Sequence, residues 1–473
     1  MKKIVLIIAV LFSTIAVNAQ DYSFVPKGLK LLTMNELMTR QPPTDALPVY
    51  YEDGTKTKFS AVMSKIMNQE FTPKMYVNDK GEFQVLVIVK NRKAQASTKS
   101  KKVKTSTKNV IDPSLGIEAV PKSLGKEYVN NFNRYTKVIA PNGKAIHIVI
   151  QDDVTNEQAV RSRSILEHFL KDYPGSKYGS NKGKIANKMT ENNAVLALMN
   201  GQDDGSNKIE VDAQPLFKNE MQVEGHSWYV NQDFDHRDAS YEEILHFVHD
   251  NGIGVDGPNT RPGTAPEYQK EIRTAQKYAL SNKLWASGPR FTNIVKEWDE
   301  ENSLTQEYLA SVIDSYYGLW GAWQGSETHG MWGGYIAKTR ADIAAKDPKG
   351  AAIMDNTFFH PYLTYNARID SGFKGTFSLS FNESIPYTHH SRYLKDITLL
   401  GANNTSVIVN ELDNDITGNK GDNIIIFSGN KSEYTISTRA GVINVNDKIS
   451  KRDGSNTLRN VEKLKFKDQI LKL

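Results

Sequence analysis

Tyr241-Glu242-Glu243-Ile244-Leu245-His246-Phe247-Val248-His249 is the stretch on which the reading of this chain turns. Ile244, Leu245, Phe247 and Val248 give it the apolar content of a packed helix. Residues at i, i+4 and i+7 of a helix point the same way, so Glu242, His246 and His249 share a face, with Glu243 at its edge. Carboxylate and imidazole oxygens and nitrogens on one face are metal-ligand chemistry. A further carboxylate beside them is placed to act as a general base.

The same residues have a purely structural reading. Ser240-x-x-Glu243 is a capping box, in which the acids favour the positive end of the helix. Ser303-x-x-Gln306 would cap a second helix in the same way and leave Glu307 as a first-turn surface acid. That second helix, Gln306-Glu307-Tyr308-Leu309-Ala310-Ser311-Val312-Ile313-Asp314-Ser315-Tyr316-Tyr317, gives the first its context. Leu309, Val312, Ile313 and Tyr316 would pack inward, and Ala310 would let a neighbouring helix approach closely.

Taken together, the two patterns resemble the zincin metallopeptidases of the glutamate class. Their H-E-x-x-H helix is followed downstream by a helix with a Glu-aromatic-apolar-Ala pattern that supplies the third ligand. The resemblance implies zinc held by Glu242, His246 and Glu307, with donor atoms within roughly 5 Å of one another. Glu243 would be the base that takes a proton from water. The motif here is E-E-x-x-H, with Glu242 where the family has histidine. Two carboxylates and one imidazole make a harder, more negative site, with weaker zinc affinity and a less acidified water. The implied function is a secreted, divergent metallopeptidase-like protein that hydrolyses a peptide bond in a peptide or protein substrate. The alternatives are a noncatalytic secreted binding protein that keeps the fold, and a surface-adhesion protein.

Around these helices the sequence divides into regions, and its 473 residues exceed one ordinary domain. Residues 1–19 pair Lys2 and Lys3 with an apolar run ending in Val17-Asn18-Ala19, the pattern of a secretory signal peptide. The expected product is an exported chain without a transmembrane segment, at the cell surface, in a periplasm or in the medium. Residues 20–89 hold hairpin signals at Tyr50-Tyr51-Glu52-Asp53-Gly54 and Asn78-Asp79-Lys80-Gly81, and read as a small α+β module. Residues 90–109 are Lys-, Ser- and Thr-rich without acids, a flexible basic linker. Residues 110–370 carry some strands and then mostly helices, giving an α+β fold with a zincin-like central domain. The net charge of +5, part of it in the linker, argues against a nucleic-acid partner. The chain has no cysteine, so disulfides contribute nothing to its stability.

From residue 371 to 473 the chain becomes β-rich. Gly418-Asn419-Lys420-Gly421-Asp422-Asn423-Ile424-Ile425 and the ending Arg452 to Phe466 resemble the hemolysin-type (RTX-like) calcium-binding β-roll and its closing segment. The resemblance implies calcium near Asp415, Asp422 and Asn423. Only about one repeat is recognisable, and Asn423 stands where the repeat usually has Asp. A calcium ion needs about 6–8 oxygens, so the expectation is a small β module with one vestigial repeat.

His329 and His360 are accessory candidates for holding a substrate oxyanion. His226 and His236, in a Trp/Asp-rich approach to the first helix, read as loop residues, and His389-His390 receives no catalytic role. No phosphate loop, G-x-S-x-G elbow or cysteine nucleophile is present.

Overall fold

The structure, a computed structural model, describes residues 22, 24–32, 47–58, 62, 71–90, 109–232, 234, 238–258 and 260–473. The expected signal peptide, nearly all of the basic linker, and His236 lie outside them. The fold is mixed α+β, with several separate sheets. No described helix is long and apolar enough to cross a membrane.

One unit comprises the described residues before Thr107 together with Gly288–Lys296. Its five-stranded sheet has the order β1 (Lys30–Leu31), β4 (Phe71–Val77), β5 (Phe83–Lys90), β2 (Val49–Tyr51), β3 (Lys56–Thr57). Both predicted hairpins form, β2 with β3 and β4 with β5. Gly54 makes the first turn possible, since its φ of 86° is open to glycine and costly for most side chains. Val49, Val62, Met75, Leu86 and Ile88 form this unit's core.

The second unit comprises Thr107–Ser287 and Glu297–Leu473. Its first sheet runs β6 (Arg134–Ile139), β7 (Ala145–Ile150), β8 (Val195–Met199), β9 (Gln214–Phe217). β6 is antiparallel to β7, while β7, β8 and β9 are parallel. The strand cores Ile148-Val149-Ile150 and Leu196-Ala197-Leu198 are completely buried, as expected for strands covered on both faces. Helix α1 (Asn156–Leu170) follows β7, begun by a capping box between Thr155 and Gln158. Helix α2 (Ser240–Val248) packs on α1, on β9 and on a later helix, α4 (Leu304–Tyr316). Helix α3 (Pro266–Ser281) lies against α4.

The tail differs from its expected form. Instead of a module with one repeat, it is a coil of parallel turns that starts at β10 (Leu363–Ile369), ahead of the expected boundary at 371. One parallel ladder joins β10, β12 (Leu394–Leu399), β14 (Asp415–Thr417) and β18 (Ser455–Arg459). The other joins β11 (Gly375–Ser378), β13 (Thr405–Ile408), β15 (Ile424–Ile426) and β19 (Lys463–Lys465). Each ladder stacks one inward residue per turn: Ala367, Ile397, Ile416, Leu458 in the first and Phe377, Val407, Ile425, Leu464 in the second. All eight are 0–1% exposed, so the stacked rows are the core of the coil. The turns other than the quoted one lack its glycine/aspartate signature, which is why the sequence shows only one.

The first turn is fastened to the central helices. Arg368 forms a two-pronged ion pair with Glu157 of α1, at 2.6 and 3.2 Å, and the Asp370 amide donates to the Glu224 carbonyl at 2.8 Å. The coil is therefore continuous with the core of this unit.

Candidate metal centre

Helix α2 is held at its start by a buried guanidinium, and no capping box forms. Ala239 occupies the cap position without a side-chain bond, and the Ser240 amide donates to Asp238 Oδ1 at 3.2 Å. The Ser240 hydroxyl accepts from Arg161 Nη1 at 3.0 Å. Arg161 also donates to Asp238 Oδ2 at 2.6 Å and to Glu224 Oε1 at 2.9 Å. Burial opposes the charge on Arg161, but Asp238 and Glu224 outweigh it and hold the guanidinium above its ordinary pKa. Tyr365 donates to Glu224 at 2.8 Å, and its hydroxyl lies 2.6 Å from that of Tyr241, which is 3.3 Å from His390 Nε2. His390, given no role from sequence, thus contacts the metal-candidate helix from within the first turn of the coil. The second predicted box is absent too, since Ser303 makes no side-chain cap on α4.

One turn into α2, Glu242 and His246 face α4, and Glu307 meets them from that helix. One donor atom from each of the three lies within 4.8 Å of the others. Glu242 and His246 are buried, and Glu307 is half-buried. Leu309, Ala310, Val312 and Ile313 are completely buried, and Ala310 offers only a methyl group at the helix contact. Two carboxylates and an imidazole within this distance fit a divalent cation, since a small contraction brings them to bonds of ~2.0–2.2 Å. Among the described residues this is the single group of three or more such side chains close enough to hold an ion.

Glu243 sits beside this group. Gln214 Nε2, on the edge strand β9, donates to Glu243 Oε2 at 2.7 Å, and His246 Nδ1 lies 3.8 Å from the same oxygen. The base candidate is thereby oriented by the sheet edge, a contact the sequence did not signal because Gln214 is distant along the chain.

His249 is not one of the three residues of the group. The helix widens into a π-turn, His249–Ile253, only from this residue onward, and the His249 amide still bonds the Leu245 carbonyl as in a regular α-turn. Gly252 lets this turn approach the helix Gly183–Glu191; a Cβ there would lie 2.4 Å from Ile185 Cγ2. His249 is completely buried and its Nε2 is 2.6 Å from Gln269 Oε1. The Gln269 amide donates to Asp256 and Thr305, so its oxygen accepts and His249 carries the proton on Nε2. Burial pushes the imidazole pKa down to about 4. The folded state thus favours neutral His249, and stability is lost as pH falls from the unfolded value near 6.5 towards 4. Relative to a His249→Gln variant, wild type should lose about 3 kcal/mol more between pH 7 and pH 4. Urea unfolding at both pH values checks this, and equal losses would refute it.

The remaining candidates lie apart from the group. His329 Nδ1 is 2.7 Å from the Thr328 hydroxyl, and His360 Nε2 is 3.2 Å from the Lys171 carbonyl, its ring against Tyr173. In the coil, Asp415 pairs with Arg459 and Asp422 with Lys463. Asn423 is fully buried, and its amide donates to the Thr405 carbonyl at 3.3 Å and to Asn419 Oδ1 at 2.9 Å. Asn414 and Asn419 likewise donate to carbonyls of the preceding turn, those of Lys395 and Leu400. These corners are bonded by amides and ion pairs.

No protein family, curated protein or solved structure matches the chain.

A cleft of about 300 Å³ is lined among others by Gln214, Asp250, Asn251, Arg261 and Gln306, and by none of the four candidate residues themselves. Gln306 immediately precedes Glu307, and Gln214 carries the bond to Glu243. Asp250 accepts from Gln306 Nε2 at 2.8 Å, and burial raises its pKa to about 6 against the opposing influence of Arg261. Of these cleft residues the sequence marked only Gln306, and that as a helix cap. The one available signal was an acid directly after His249, at the end of the helix.

Proposed function

We propose that this chain is a divergent metal-dependent peptide hydrolase with a zincin-like central domain, exported from the cell that makes it. Glu242, His246 and Glu307 would hold zinc, and Glu243 is the base. One observation carries the reading: two buried donors and one half-buried donor from two separate helices converge within 4.8 Å, beside a carboxylate that is not one of the three. Zinc in such a site supplies Lewis-acid polarisation of a carbonyl and acidifies water. Gln214 fixes the plane of the Glu243 carboxylate. A carboxylate so held accepts a proton from water and returns it to a departing amine. The half-buried position of Glu307 and the adjoining cleft leave an approach for an extended substrate. The coil is an accessory that adds stability or attachment, since it brings together no acid, base and nucleophile.

Metal analysis tests the site. Purified protein should carry about one zinc per chain, and His246→Ala should retain almost none while staying folded. Wild-type protein that holds no divalent metal and takes up none on titration would refute the site. Bound metal without hydrolysis of any peptide would instead favour the noncatalytic binding protein.

A further inference from the structure

The geometry points to a substrate cation, a lysine-type ammonium, seated in the cleft beside Glu243. This rests on the proposed hydrolase, because the cleft reaches the candidate base through Gln214. The ionisable residues lining the cleft are Asp212, Asp250, Glu301 and Arg261, three acids against one base. That one base is already engaged by the protein. Arg261 Nη1 donates to the Asn192 carbonyl at 3.0 Å and to Asn251 Oδ1 at 2.8 Å, and Nη2 donates to Asp212 Oδ1 at 2.7 Å.

Deeper in, the available groups are acceptors. Asp250 has no ion-pair partner among the described residues, and its carboxylate accepts from the Gln306 amide. Gln306 is 9% exposed and its carbonyl oxygen has no hydrogen-bond partner among the described residues. A carboxylate with lone pairs to spare beyond the Gln306 bond and a carbonyl oxygen without a partner suit a group that only donates, and an ammonium donates three hydrogen bonds and accepts none. The apolar lining residues Val195, Ala213, Val255 and Pro258 give an aliphatic stem a surface to lie along. A substrate carboxylate would find the guanidinium engaged and Asp250 in opposition.

An ammonium can come from a lysine side chain or from a peptide N-terminus, and binding measurements separate the two. The full chain carrying Glu243→Gln, which should not turn over substrate, is titrated by calorimetry with three pentapeptides. One has central lysine and an acetylated N-terminus, one has norleucine and an acetylated N-terminus, and one has norleucine and a free N-terminus. A charge-assisted hydrogen bond makes the cationic peptide about 10- to 100-fold tighter than the blocked norleucine peptide. Asp250→Asn, which keeps an oxygen for the Gln306 amide, should erase that preference. Glu301→Gln, at the exposed rim, should change it only about twofold.

A preference for the lysine peptide assigns the side chain, and one for the free N-terminus assigns the α-ammonium. Equal affinity for all three peptides overturns the inference, as does a preference that survives Asp250→Asn. Hydrolysis by wild type without any charge preference leaves the hydrolase standing and removes the cation site. An Asp250-dependent preference in a protein that hydrolyses nothing does the reverse.

Discussion

Glu243→Gln should lower peptide hydrolysis by about 10²- to 10⁴-fold, the usual contribution of a positioned general base, while bound metal stays nearly unchanged. The amide oxygen of the new side chain can still accept from Gln214 Nε2, now 2.7 Å from the carboxylate, so the local geometry should persist. The substitution removes the proton acceptor and leaves Glu242, His246 and Glu307 in place. Steady-state rates and metal content, measured on the same preparations, decide the matter. Unchanged hydrolysis would mean that another group or a contaminant does the chemistry. Loss of metal would make Glu243 a ligand.

Arg161→Met should cost about 3–5 kcal/mol of folding stability, because removing one partner leaves buried charge uncompensated. Glu224 and Asp238 are 0% and 3% exposed, and Arg161 is their shared cation. The loss should reach the metal site as well, since Arg161 and Asp238 fix Ser240 at the start of α2. The triple variant Arg161→Met, Glu224→Gln, Asp238→Asn should recover much of the stability, since no unpaired charge remains. Denaturant unfolding measures both, and a cost below about 1 kcal/mol for the single variant would show that water reaches the carboxylates.

The two helices of the candidate centre were legible because their apolar residues and ligand types follow the helical period. The hairpins were legible because Asn78-Asp79-Lys80-Gly81 and Glu52-Asp53-Gly54 are local turn chemistry. His249 follows the helical period, but its imidazole is engaged by Gln269 of another helix, a contact that helical spacing does not reveal. The coil was compressed to one repeat because its regularity lies in single inward residues, such as Ile397 above Ile416, and not in a motif. Arg161 gave no warning, since an arginine in a helix usually marks a solvated face. Its partners Glu224 and Asp238 stand more than sixty positions away. Gln214, Asp250 and the place of Gln306 in the cleft escaped for the same reason: contacts made by tertiary packing leave little trace in spacing.

The stacked coil also shows where this chain tolerates novelty. Between β15 and β18 the chain forms the antiparallel hairpin β16 (Tyr434–Arg439) and β17 (Val442–Asp447), which extends the first ladder through β17 against β18, and the coil resumes in register, Asp415 opposite Thr457. The neck of this hairpin is tied by Asp453, which accepts from the Ser428 amide at 2.7 Å and from the Tyr434 hydroxyl at 2.5 Å. In a stack each turn responds mainly to its neighbours, and doubling the length of a loop costs only about 0.6 kcal/mol of closure entropy. The exposed tip of this hairpin, at Arg439-Ala440-Gly441, is thus a natural graft point, where length and surface can diverge among descendants of this sequence while β17 and the rows beneath keep their alignment.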